Sequence, residues 1–411
     1  MISARSLNRE NPRSRERHQT NGTALAVPPG MHPSGATIPK PPIATVTMNP
    51  SIDQHILIDR LVKDDAIRAR DIRRDPGGKG INVSRVLREL GAETLAFGLT
   101  GGGAGYIVKR LLRERGIAFE SVEVLEETRI NFIFTDRSDR TQTRISSPGP
   151  WVTLDEADRL AALILGRAPM PPWWVLGGSL PRGIPVDFYA RLIRDLGRAG
   201  ARCFLDADDD ALRVGIEARP YGIKPNENEL ARLAGRELRD DAQILQVAQE
   251  IVASGVEIVA VTLGGEGALV VTATEAVRVR PPAVEALSKV GAGDAFLAGF
   301  VLALSRGEPL EGACRLGVAA GTAAVIHEGT QLCRREDVER LLPRVTAETR
   351  PLPSRTSQSG SPVNPLIDVV CGTEFDPALA PFATVHDGLP YRFCSLVCQR
   401  QFEAHPERYA A

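Results

Sequence analysis

Apolar and polar positions along this chain alternate between two periods. Ile43-Ala44-Thr45-Val46-Thr47 is a short β-branched run and reads as a strand. Ile81 to Leu90 has apolar residues at helical spacing and stops at Gly91, a favoured residue just past a helix end. Trp173-Trp174-Val175-Leu176 reads as a buried strand running into Gly177-Gly178, Phe188 to Leu196 as a helix, and Cys203-Phe204-Leu205-Asp206 as the next strand. A helix over 240–253, a strand at Ile258-Val259-Ala260-Val261 and a helix from Ala292 to Ser305 continue the rhythm. Strand and helix in alternation predict an α/β fold, a mostly parallel sheet with helices on both faces. A different texture interrupts it. Ile130 to Phe134 and Thr141 to Ile145 flank the polar turn Asp136 to Arg140 and predict a hairpin, a candidate lid over the parallel domain.

Composition shifts divide the chain into four segments. Residues 1–41 are a polar, Pro-rich stretch with Arg5, Arg9, Arg13, Arg15 and Arg17 near its start; it lacks the apolar core of a secretory signal and reads as a disordered tail. Residues 42–345 carry the alternating pattern. Residues 346–366, with Pro351, Pro353, Ser354, Ser357 and Gly360, read as a linker. Residues 367–411 form a short module containing cysteine and aromatic residues. At 43% apolar and 25% charged over 411 residues, the chain can bury a sizeable core. A net charge of −1 gives no push toward nucleic acid or a membrane surface, and no apolar run reaches spanning length. A soluble cytoplasmic protein is expected.

Two glycine-rich segments carry the candidate chemistry. Asp75-Pro76-Gly77-Gly78-Lys79-Gly80-Ile81-Asn82 directly precedes a helix, where glycine admits close approach of a ligand and the helix start offers free N–H groups. Its spacing is not that of Walker A, and a tight strand-to-helix turn is the plain alternative. In Val290-Gly291-Ala292-Gly293-Asp294, small residues let successive N–H groups converge at a helix start, suited to charge that grows during phosphoryl transfer. Asp294 there is either a general base beside an anion hole or an ordinary helix-start carboxylate.

Together these loops resemble the two signature segments of the phosphofructokinase B family of ribokinase-like carbohydrate kinases. The resemblance runs from residue 43 to about residue 342. It includes Asn49-Pro50-Ser51-Ile52-Asp53, Gly178-Ser179-Leu180-Pro181, Lys224-Pro225-Asn226-Glu227-Asn228-Glu229, Thr262 to Ala268 and Gly317 to Ala324. It implies a doubly wound α/β sandwich with a small β lid, ATP and Mg²⁺ as cofactors, and a phosphorylated sugar as acceptor. Asp294 becomes the catalytic base, with Gly291, Ala292 and Gly293 as the anion hole. Asp53, Gly78 and Asn82 are implied to contact sugar hydroxyls, and Lys79 to act structurally or electrostatically. Asn226 and Glu229 match a motif that orders magnesium and phosphate beside Lys224; they also spell a capping box, and both readings can hold. Thr262, Gly264 and Gly267 match the loop along the ATP phosphates and ribose, and Gly321 and Ala324 the helix lining the adenine pocket.

Arg129 and Arg144, on the two arms of the hairpin, have the fork geometry for a substrate phosphate, with Arg68 or Arg70 and Ser179 as helpers. Their surroundings resemble the phosphofructokinase and tagatose-6-phosphate kinase subgroup. Fructose 6-phosphate is the first expectation for the acceptor, with fructose 1-phosphate and tagatose 6-phosphate open. A second class of function is a metal-responsive protein that binds a sugar phosphate without turnover. Lid pairing in this family implies a homodimer.

The last segment places Cys371 ahead of Cys394-Ser395-Leu396-Val397-Cys398. The Cys-x3-Cys spacing sets two sulfurs on one face of a helical turn, where with Cys371 they can bite a soft metal such as zinc or copper. The segment resembles a YHS/TRASH-like metal-binding domain, with His386 or His405 available as a fourth ligand. It departs from the pattern at Thr373, where methionine is frequent, and at Tyr391-Arg392-Phe393, where Tyr-His-Ser would stand. Reduced thiols on a small α+β module without metal are the alternative.

Overall fold

The computed structural model describes residues 43–139, 141–288, 290–327, 329, 331–353, 366–375, 382–394 and 396–409. The Arg-rich tail and the middle of the linker lie outside them.

The chain opens with strand β1 (Ile43–Thr47), then makes two strands that leave the main sheet, β2 (Ser51–Ile58) and β3 (Asp71–Gly77), before helix α1 (Lys79–Glu89). Next come β4 (Thr94–Thr100), α2 (Gly102–Glu114), β5 (Ala118–Glu123) and the expected hairpin, β6 (Arg129–Asp136) and β7 (Gln142–Ile145). The second half runs α3 (Leu154–Leu165), β8 (Trp173–Gly177), α4 (Phe188–Arg198), β9 (Arg202–Asp206), α5 (Asp209–Ile216), β10 (Gly222–Ile223) and α6 (Glu227–Ala234). It continues through α7 (Asp241–Ala253), β11 (Ile258–Thr262), β12 (Ala268–Val271), β13 (Glu275–Arg280), α8 (Ala292–Ser305), α9 (Leu310–Val325), α10 (Arg335–Leu341) and β14 (Thr346–Pro351).

Ten of these strands form one sheet in the order β14-β13-β12-β11-β10-β9-β8-β1-β4-β5. From β5 to β11 neighbours are parallel; β12, β13 and β14 add antiparallel at one edge. Strand β8 shows why the fold is wound twice. Trp174 and Leu176 pack into the core on the α3–α4 side, while Trp173 and Val175 pack on the side of α1, α8 and α9. Both faces of a parallel strand are buried, so its sequence is apolar throughout instead of alternating. Helix α8, buried along nearly its whole length, sits at the centre of the second layer.

The hairpin belongs to a larger element than its sequence suggests. It joins β2 and β3 in a separate four-stranded sheet ordered β3-β2-β6-β7, with β2 and β6 parallel. This sheet is the lid.

Residues 346–351 differ from expectation. Read as the start of a linker, they instead form β14 and pair with β13 over six residues, from Thr346 opposite Arg280 to Pro351 opposite Glu275. Mostly exposed, this edge strand has no apolar stripe for the pattern to reveal; ladder hydrogen bonds hold it. The module beyond contains β15 (Leu366–Ile367), β16 (Glu374–Phe375), β17 (Phe382–His386), β18 (Leu389–Phe393) and α11 (Leu396–Ala404). Its small core is Phe382, Phe393, Cys398 and Phe402. Among the described residues no helix is long and apolar enough to cross a membrane.

Without β14, β13 becomes a bare edge. A chain ended after Val345 should therefore melt about 3 °C or more below one ended after Pro353, a loss of about 1–2 kcal/mol. Equal melting temperatures by circular dichroism would show that β14 adds nothing.

Candidate active site

Strand ends make the floor of a cleft of about 1230 Å³ between the main sheet and the lid. Thr47 ends β1, Asp206 ends β9, and Lys224 and Thr262 stand at the ends of β10 and β11. The carboxyl ends of parallel strands are where open α/β sheets bind ligands.

The first glycine loop delivers α1 to this floor. Gly78 has φ of 115°, and a Cβ on it would meet Thr47 Cγ2 at 2.5 Å, so only glycine fits. Thr47 Oγ1 then accepts from Ile81 N at 2.9 Å, fixing the helix start against β1. Asn82, in the first turn, does not cap its own helix. Its Nδ2 crosses the cleft and donates to Asp294 Oδ2 at 2.8 Å.

Asp294 is the third residue of α8. The helix enters through Gly291, left-handed at φ 79°, and no side chain caps its first N–H groups. Those groups and their dipole face the cleft. An ordinary helix-start carboxylate would be hydrated and readily ionised. Asp294 is instead buried, and desolvation, then the charge of Asp206, raise its pKa to about 6 against the pull of Asn82, Lys79 and Lys224. A carboxylate tuned near neutrality is a competent base.

Around it the topology gathers charges that no local pattern announced. Lys79 Nζ donates to Asp206 Oδ1 at 2.9 Å and Asp208 Oδ1 at 2.7 Å, and Lys224 Nζ lies 3.2 Å from Asp206 Oδ2. Burial opposes the charge of Asp206, but Lys224 and Lys79 together hold its carboxyl below the usual range. Lys224 also reaches the second glycine loop: a Cβ on Gly293 would stand 3.3 Å from its Nζ. Asp206 and Asp208 were invisible as site residues because only the sheet order brings them beside α1.

On the lid side, Asp53 lies buried on β2, its Oδ1 accepting from Ser51 Oγ at 2.9 Å and Asn131 Nδ2 at 2.8 Å. Arg144 is exposed and lines the cleft. Arg129 lines it too, but its guanidinium also braces the walls, donating to the Ser147 and Asn49 carbonyls at 3.0 Å each. Arg70 lies outside the cleft, bonded to Asp59 on the lid surface. Ser179 accepts from Asn49 Nδ2 at 3.3 Å. Among the described residues, the buried Asn49 Oδ1 has no partner, which makes Asn49 a further candidate for a substrate hydroxyl.

At the other end, Asn226 and Glu229 form the capping box of α6: Asn226 Oδ1 accepts from Glu229 N at 2.9 Å and Glu229 Oε2 from Asn226 N at 2.8 Å. Both residues still line the cleft, as do Thr262, Gly264, Gly267 and Gly321. Ala324 does not. It is 1% exposed in the core, because Val318, Gly321, Thr322 and Val325 make the cleft-facing stripe of α9 and Ala324 falls off that stripe.

In the C-terminal module, Cys371 Sγ is 3.4 Å from Cys394 Sγ, which is 3.8 Å from Cys398 Sγ. Helix α11 starts only at Leu396, so Cys394 approaches from the chain before the helix instead of from within a helical turn. The fourth group within 4.8 Å is Asp368, neither His386 nor His405. Its carboxylate accepts from the backbone N–H of Cys394 at 2.7 Å and of Val370 at 2.9 Å, clamping the two cysteine-bearing loops together.

A family model described as pfkB family carbohydrate kinase matches residues 46–337. The chain is 38% identical over 311 residues to a 1-phosphofructokinase of Xanthomonas campestris, covering 73% of this chain and 93% of that protein. It is 34% identical over 301 residues to the ATP-dependent 6-phosphofructokinase isozyme 2 of Escherichia coli, covering 73% and 97%. The crystal structure of Escherichia coli phosphofructokinase-2 in complex with substrates and products superposes with a TM-score of 0.71 at 33% identity, covering 74% of this chain and 99% of that one.

A raised carboxyl pKa makes the ionised native state costly. The cost is absent below the unfolded value near pH 4, grows as pH rises, and is complete above about pH 6. Asp294→Asn should thus stabilise the protein by about 2 kcal/mol at pH 7.5 and by little near pH 4. Thermal melts at the two pH values check this; a gain equal at both would exclude the charge as its cause.

Proposed function

The chain belongs to the pfkB family of carbohydrate kinases, and on that premise we propose that it moves the γ-phosphoryl group of ATP to a ketohexose phosphate. The observation that carries the reading is the buried Asp294 carboxylate, raised to about 6, beside the uncapped start of α8. In the reaction, the acceptor hydroxyl gives its proton to Asp294 as its oxygen bonds to the γ-phosphorus. The bond from that phosphorus to the bridging oxygen breaks, and ADP leaves. The N–H groups following Gly291, with Lys224, face the charge on the transferring group. A protein that only binds sugar phosphate has no need of a desolvated base, which favours turnover.

Fructose 6-phosphate is the first choice of acceptor, with Arg144 and the cleft side of Arg129 toward its phosphate and Asp53 toward its hydroxyls. The 38% identity to a 1-phosphofructokinase supports fructose 1-phosphate as the second. Both acceptors lead to fructose 1,6-bisphosphate. Magnesium fits the nucleotide end, where Glu229 keeps one carboxylate oxygen outside the capping box and hard oxygen donors are few, as this ion tolerates. Bound there, it would neutralise phosphate charge. A homodimer paired through the lid is supported by Ile72 and Ile145, exposed on the outer strands of that sheet.

The cysteine module is proposed to hold one soft metal ion. Two thiolates bound to one zinc at about 2.3 Å with tetrahedral angles stand about 3.8 Å apart. The observed sulfur separations of 3.4 and 3.8 Å are close to this.

ADP release measured with fructose 6-phosphate and fructose 1-phosphate tests the first proposal. Asp294→Ala should lower kcat by about a thousandfold, and Arg144→Ala should raise KM for the sugar phosphate about tenfold with KM for ATP unchanged. Negligible rates for wild type with every hexose phosphate would defeat it. For the module, the protein as purified should carry about one zinc or copper per chain, lost on removing residues 367–411. Equal metal content with and without them would exclude the site.

A further inference from the structure

The carboxamide that holds Asp294 is itself held. Asn82 Oδ1 accepts from Arg85 Nη1 at 3.1 Å, one turn further along α1. The same nitrogen donates to the Pro76 carbonyl at 3.2 Å, and Arg85 Nη2 stands 3.6 Å from Asp75 Oδ1. The Arg85 side chain is 8% exposed, so this charge sits inside the protein at the base of the lid. Asp75 is just as buried and is gripped from other sides, accepting from Arg115 Nη2 at 2.6 Å and Arg73 Nε at 3.1 Å. It anchors Arg85 from strand β3.

A carboxamide has one accepting end and one donating end. Guanidinium can only donate and an ionised carboxylate can only accept. Between Arg85 and Asp294, one orientation of Asn82 satisfies both neighbours. The flipped one would set NH₂ against guanidinium and oxygen against carboxylate, two repulsive contacts in a buried site.

We infer that Arg85, anchored by Asp75, is a positioning residue for phosphoryl transfer: it fixes the Asn82 carboxamide with its N–H on Asp294 Oδ2, leaving Oδ1 to take the acceptor's proton. The inference rests on the reading of Asp294 as the base. Its reach is also geometric. Asp75 and Asp53 are direct partners across the β3–β2 ladder, so the anchor of the base and the candidate sugar contact share one rung of the lid. Charged groups facing Asp294 are Asp206 from β9, Lys79 from α1 and Lys224 from the end of β10; those facing Arg85 are Asp75, Arg115, Asp53 and Arg73. Of the groups around Asp294, Asn82 is the one that stabilises its ionised form by a hydrogen bond, and its orientation is what Arg85 controls.

The test is steady-state kinetics of the full chain with Arg85→Ala and Arg85→Lys, from about pH 5.5 to about pH 9. Arg85→Ala should lower kcat about tenfold near neutrality and move the acid limb of the kcat profile upward by about one pH unit, with KM for ATP within about twofold. Added guanidinium ion should restore part of the loss. Arg85→Lys keeps the charge but not the fork, and should show a smaller shift of the same sign; it serves as the readout if Arg85→Ala does not fold. An acid limb unmoved in a folded variant overturns the inference, as does a loss uniform across pH that guanidinium leaves untouched. If wild type turns over and Asp294→Ala does not, either result rejects Arg85 alone. If wild type itself shows no turnover, both readings fall together.

Discussion

A carboxylate stripped of water and still required to carry charge is the constraint on which this cleft is built. Burying an ion costs several kcal/mol unless neighbours replace its hydration. Here the replacement comes from groups on three parts of the fold: the Asn82 N–H and the Lys79 ammonium from α1, the Lys224 ammonium from the end of β10, and the dipole of α8. None reaches Asp294 without the backbone arrangements beneath it. Asn82 needs the glycine turn at Gly78 and the anchor of Ile81 N on Thr47; α8 needs a left-handed entry at Gly291. The compensation is incomplete, and the deficit appears as a carboxyl group poised near neutrality.

Asp206 gives the second half of that balance. Placed between the half-buried Lys79 and the buried Lys224, it keeps their ammoniums from repelling one another, and its own charge opposes ionisation of Asp294. Lys79 is further tied by Asp208. Lys224 has Asp206 on one side and the glycine loop on the other, so its ammonium faces the cleft without leaving its partner.

Much of this is legible in the sequence, because glycine loops, buried strands and helix starts are written in contiguous residues. The strands β1, β8, β9 and β11 are short runs of mostly β-branched, aromatic and other apolar residues, and α8 begins and ends where its pattern does. What escaped was set by topology. Strand β2 mixes polar residues among its isoleucines and β3 is rich in charge, so both were legible only as flanks of a motif, yet they form half the lid. Asp206 looked like the end of a strand, and Asp208 like one acidic residue of the loop after it. Arg129 looked like a free fork, whereas backbone carbonyls 80 and 18 residues away claim two of its nitrogens. Ala324 shared a motif with Gly321, but three residues of helix carry it off the cleft-facing stripe. In the last module the cysteines were evident, while Asp368, which carries no pattern of its own, clamps them through backbone N–H groups.

The order of the main sheet sets the cleft and the far end of the chain apart. The cleft draws on the ends of β1, β9, β10 and β11, with Arg280 of β13 at its margin, and the lid rises beside them. The chain leaves by β14, the outermost strand at the antiparallel edge. The module beyond is still tied back to the kinase part, since Arg400 of α11 donates to the Ala234 carbonyl at the end of α6, the helix whose start carries Asn226 and Glu229 at the cleft; the appendage and the cleft thus share one helix as a common mount.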